Sequence, residues 1–146
     1  MGNAIAMGIV LLGGVAVAIQ AVVNGALSRS LVAALPAGAV SFGVGFAALL
    51  ILSLITGAGG SFSKLPELPW WQWIGGILGA YYVFSMIFGV PQLGVVSAMA
   101  ALILGQMLAA LALDATGAFG MAVHAITPAR IGAVVLVGAG LLLSRF

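Results

Sequence analysis

The chain has no cysteine, one histidine, and only four basic and two acidic residues among its 146. Without thiols it can form no disulfide, thiolate metal site or cysteine nucleophile. His124 with Glu67 and Asp114 cannot supply paired carboxylates, an HExxH zinc motif or a Ser–His–Asp set, and no phosphate-cradling glycine loop is present. No catalytic residue, metal or cofactor is therefore expected. The pI near 9.7 comes from Arg29, Lys64, Arg130 and Arg145, which never gather into the concentrated patch that phosphate backbones require. Nucleic acid is not an expected partner.

What fills the chain instead is hydrocarbon. Hydrophobic residues make up 64% of it, the mean hydropathy is +1.37, and a soluble fold of this size would lack the polar surface that water demands. A bilayer core of about 30 Å needs about 20 apolar helical residues. The sequence offers that length, or nearly so, five times. The reading is an all-α, polytopic membrane protein forming a single domain over residues 1–146, with helices at about 4–24, 37–57, 70–90, 93–114 and 128–145. The first run has no basic flank ahead of it, so it reads as a permanent helix and not a cleaved signal.

Local features set the boundaries. Ser28-Arg29-Ser30 reads as a loop, and Pro36 suits the start of the second helix. Residues 57–69, rich in Gly, Ser and Pro, form the one long polar connection. Trp70, Trp71 and Trp73 follow it and mark the water–lipid boundary at the start of the third helix. Pro91-Gln92 reads as a tight turn. The stretch from Ala118 to Thr127 is too short for a crossing and reads as a loop or shallow interfacial helix. The last span is short, and Arg130 and Arg145 can reach the interfaces with their aliphatic stems. Small residues at Gly38, Gly43, Gly45, Gly75, Gly79, Gly132, Gly138 and Gly140 would let helices approach closely.

Five crossings place the termini on opposite sides. Lys64 and Arg130 then lie on the N-terminal side, and Arg29 and Arg145 on the other. Orientation normally follows an excess of Lys and Arg in the cytoplasmic loops, and here the count is even. The balance suggests insertion in both directions and an antiparallel pair of copies, although so few charges can also balance by chance.

The ordered set Gln20-x-x-x-Asn24, Ser41-Phe42-x-x-Gly45, Trp73-x-Gly75-Gly76-x-x-Gly79-Ala80, Val90-Pro91-x-Leu93-Gly94, Gly105-Gln106 and Asp114-x-x-Gly117 resembles a bacterial family of five-helix inner-membrane proteins in the drug/metabolite transporter superfamily. The resemblance covers essentially the whole chain. It implies residence in the bacterial inner membrane and a ten-helix transport unit built from two five-helix repeats of inverted topology. A second, oppositely inserted copy of this chain would complete that unit as an antiparallel homodimer. Small multidrug exporters of related architecture carry a deep acid in their first helix; this chain has none there.

Polar and aromatic residues inside hydrocarbon are the candidates for solute binding. Gln20 and Asn24 share a helix face and must meet a cavity, a ligand or another helix. Phe42 belongs to the second motif. Gln106 lies near mid-depth in the fourth helix, with Gly105 beside it. Tyr81 and Tyr82 lie at similar depth in the third helix but point about 100° apart, so one of them can line a given cavity. Asp114 is a coupling candidate, or else an interfacial residue paired with Arg130. His124 in a loop and Glu67 between prolines read as incidental. Together these suit a small organic solute moved by alternating access. The competing reading is a non-transporting membrane subunit that stabilises a partner complex.

Overall fold

A computed structural model describes residues 2–146. Five α-helices are present among them: α1 (Gly2–Leu31), α2 (Ala34–Ile55), α3 (Ile74–Leu93), α4 (Val95–Thr116) and α5 (Pro128–Leu143). The first four are long and apolar enough to cross a membrane; α5, at 16 residues, is a shorter apolar helix. Helices are the expected solution, because lipid offers no partner to a backbone N–H or C=O and each must be satisfied within its own segment.

The helix ends differ from the sequence reading in instructive ways. Ser28-Arg29-Ser30 is not a loop but the last turn of α1, which at 30 residues is about 45 Å long. The Ser30 hydroxyl donates to the Ala26 carbonyl at 3.3 Å, so the polar residues stay within the helix. The chain then turns in a Schellman arrangement: the Ala33 N–H donates to the Ser28 carbonyl (3.1 Å) and the Val32 N–H to that of Arg29 (3.3 Å). This geometry puts Val32 at φ 54, the left-handed region that a β-branched residue resists. Val32 is 90% exposed and gains little packing in return. Val32→Gly is therefore expected to raise the stability of the protein by up to about 1 kcal/mol, since relief of left-handed strain outweighs the entropy of the added glycine. Thermal unfolding in detergent measures it.

The second helix begins at Ala34, with Pro36 in its first turn, where a missing N–H costs nothing. The polar connection is not featureless: Ala58–Glu67 and Trp70–Trp73 are 3-10 turns, so the tryptophans precede α3. At Pro91 the helix does not turn. It continues to Leu93 and breaks at Gly94, whose φ 80 and ψ 160 lie in a region open essentially to glycine alone. Residues 121–127 carry no regular structure, after a single 3-10 turn at Ala118–Gly120.

The chain forms two compact units, Met1–Pro91 and Gln92–Phe146. In the first, α1 packs on α2, and α2 meets α3 around Ala37, Val83 and Ile87, with Leu27, Ala34 and Tyr82 packed at the edge of that cluster. In the second, α4 packs on α5. Ser97 donates to the Ser144 carbonyl and accepts from the Ser144 hydroxyl, both at 3.0 Å, which ties the start of α4 to the end of α5. Large aliphatic side chains such as Ile9, Leu12, Val44 and Leu136 are about two-thirds exposed or more. A surface of this kind needs lipid or another protein to cover it.

Candidate functional site

In the first unit α1, α2 and α3 border an open cleft of about 380 Å³. Its longest wall belongs to α2, where Ser41, Gly45 and Leu49 follow one another at every fourth residue and Phe42 and Phe46 run beside them. Fourth-residue steps place side chains on one helix face. Gln20 enters from α1, and Tyr82 with Val83 from α3. The polar side chains among the residues that line it are thus one amide, one hydroxyl and one phenol, set among aromatic rings. Among the described residues, none of these three side chains is hydrogen-bonded within the chain. No carboxylate lines the cleft, so a cation held there would lie against aromatic faces.

Phe42 has a second role. Its ring lies over Gly79, where a Cβ would come within 3.2 Å of the Phe42 Cζ. The same ring also borders a smaller apolar groove of about 210 Å³ that reaches Gly38, Ala80 and Phe84. Phe42 is therefore the partition between two cavities, and Gly79 is the small residue that seats it.

The remaining candidates lie elsewhere. Tyr81 is 71% exposed and points away from the cleft, as its angular offset from Tyr82 requires. Asn24, one turn beyond Gln20, is buried with Ala21 and Gly25 on the packed face of α1 and does not reach the cleft wall. Gln106 is exposed on α4, in the second unit. Ser41, Gly45, Phe46 and Leu49 complete the wall beside Phe42, and the signal for them in the sequence is the fourth-residue step that links them to the Ser41-Phe42 motif.

Asp114 is engaged at the end of α4. Its Oδ2 accepts from Arg130 Nη1 at 2.9 Å, and both side chains are about one-third exposed. The Asp114 carbonyl accepts from the His124 N–H at 2.8 Å. Thr127 caps α5 by accepting from the Arg130 N–H at 3.4 Å, with Pro128 in the first helical position. Gly117, at φ 61, closes the turn after α4. Among the described residues no three His, Asp or Glu side chains come together as a metal site would require.

Residues 5–143 match the family model "Putative inner membrane exporter, YdcZ". The inner membrane protein YdcZ of Escherichia coli (strain K12) is 30% identical over 95 residues, or 65% of this chain and 64% of that protein. The match thus spans slightly less than two thirds of the relative's length. No solved structure matches the chain.

Proposed function

The chain belongs to this YdcZ family, of the drug/metabolite transporter type, as a multi-pass inner membrane protein, and from that premise we propose that it moves a small organic solute across the bilayer by alternating access as a dimer of two oppositely inserted copies. The observation that carries this reading is the cleft, whose lining brings Gln20, Ser41 and Tyr82, side chains with no hydrogen bond within the chain among the described residues, together with the Phe42 and Phe46 rings. A bundle serving only as an anchor gains nothing from such groups, which cost free energy in hydrocarbon unless something binds them.

In this reading α5 is the fifth span. Its 16 residues reach about 24 Å, and Arg130 and Arg145 near its two ends extend to the interfaces. Five spans leave two basic residues on each side, and a second copy inserted the other way supplies the inverted half. Gln20, Phe42 and Tyr82 contact the solute. Tyr81 and Gln106, exposed in a single copy, belong to the surface that the twin covers. Asp114 is already paired with Arg130, so any coupling role requires that pair to open.

The cysteine-free chain makes the test direct. With Ser61→Cys in the polar connection, an impermeant maleimide should label about half the molecules from each side of the membrane; labelling from one side alone would overturn the antiparallel dimer. For binding, a panel of small amphipathic solutes is screened by thermal stabilisation, and Gln20→Ala should weaken the best of them by about tenfold, the net worth of one hydrogen bond. If no solute stabilises the protein while another protein copurifies in fixed ratio, the non-transporting subunit is the correct reading.

A further inference from the structure

In the second unit a cleft of about 170 Å³ lies between α4 and α5. On α4 it is bordered by Met107, Ala110 and Leu111 and ends at Asp114; on α5 it is bordered by Arg130 and Val134. The steps of three and four residues make these one continuous strip on each helix. The strip is apolar along the membrane-spanning part and charged only where α4 ends and α5 begins. We infer that this cleft holds a zwitterionic phospholipid with an aminoethyl phosphate headgroup, its phosphate on Arg130, its ammonium on Asp114 and the start of its acyl region along Met107, Leu111 and Val134.

Three features of the site argue for a ligand bearing both charges. The ion pair is monodentate, Nη1 to Oδ2, and a guanidinium has five N–H donors and a carboxylate two acceptor oxygens. Four donors of Arg130 and the Oδ1 of Asp114 thus have no hydrogen bond within the chain among the described residues. The helix ends act in the same sense. The N-terminus of α5 favours an anion beside Arg130, and the C-terminus of α4 favours a cation beside Asp114. A simple anion would satisfy Arg130 but be repelled by Asp114; an amine alone would meet the reverse. The third feature is the apolar strip, which a free phosphoamine has no use for and an acylated one does.

The test is lipid retention, which does not depend on any transported solute. The protein is reconstituted in an equimolar mixture of phosphatidylethanolamine and phosphatidylglycerol, delipidated, and its retained lipid identified by native mass spectrometry. Wild type should retain phosphatidylethanolamine at least about threefold over phosphatidylglycerol. Asp114→Asn should bring that ratio to unity, and Arg130→Gln should reduce retention of both lipids. Soluble phosphoethanolamine at millimolar concentration should leave the retained lipid in place. A wild-type ratio of one, or a preference that survives Asp114→Asn, would overturn the site. Full displacement by soluble phosphoethanolamine would overturn the lipid as its occupant. The wild-type ratio carries the test even if a variant fails to fold.

Discussion

Gly117→Ala is expected to destabilise the protein by about 2–5 kcal/mol. The residue sits at φ 61, and its N–H donates to the Leu113 carbonyl at 2.9 Å to close α4. An L residue held in that conformation costs about 1–2 kcal/mol. Space is the second cost: a Cβ at this position would lie 2.7 Å from Val123 Cγ2 and 2.9 Å from the Met121 carbonyl oxygen. The second of these is backbone and cannot rotate away, so the loop that carries His124 back to the Asp114 carbonyl must shift, at about 1–3 kcal/mol for such overpacking. Gly120 provides the control. It has φ 81, but nothing lies within 4 Å of its absent Cβ, so Gly120→Ala should show the conformational cost alone, about 1–2 kcal/mol. Denaturant titration of both variants in the same detergent separates the two contributions. Equal losses would show that the contacts with Met121 and Val123 contribute nothing.

That the chain is a helical membrane protein was legible in the sequence because the bilayer imposes its requirement on composition and length, and both can be read without knowing any neighbour. The long polar connection and the short α5 were legible for the same reason. Boundaries were harder wherever a residue has two allowed roles. Ser28, Arg29 and Ser30 are good loop residues, yet here they serve as a final helical turn, with the Ser30 hydroxyl returned to the backbone of its own helix. Pro91 reads as a stop, but the break comes three residues later at Gly94, where the backbone enters a region that proline and its neighbours cannot.

Packing was legible only in part, because an apolar helix carries little record of which face meets which neighbour. Eight glycines stood out as close-approach positions. A side chain lies within 4 Å of the missing Cβ at Gly38, Gly79 and Gly138, and none does at Gly43, Gly45, Gly75, Gly132 or Gly140. The glycine pattern shows where a partner could come near, and the partner's own side chains decide whether it does. The candidate site divided in the same way. Gln20, Phe42 and Tyr82 share a cleft because α1, α2 and α3 pack together, while Asn24, one turn from Gln20, falls on the packed face. A displacement of one turn along a helix separates a wall residue from a buried one, and hydropathy does not record it.

Gly79→Leu should reduce solute transport by at least tenfold without unfolding the protein. Leucine is a better helix former than glycine, so α3 itself does not resist the change. The obstacle is Phe42, whose Cζ would be 3.2 Å from the new Cβ and whose Cε1 would be 3.5 Å away. The branched end of leucine extends into the volume the ring now fills. Phe42 partitions the 380 Å³ cleft from the 210 Å³ groove, so a displaced ring must enter one of them, and the cleft holds the groups proposed to receive the solute. Combining Gly79→Leu with Phe42→Ala removes the ring that was displaced and should return flux in proteoliposomes to within about threefold of the level of Phe42→Ala alone, a non-additivity expected of residues in direct contact. Phe42→Ala by itself joins the two cavities and should admit bulkier solutes than the wild type. If the double variant is as inactive as Gly79→Leu, the loss comes from a change in helix packing and not from the aromatic partition.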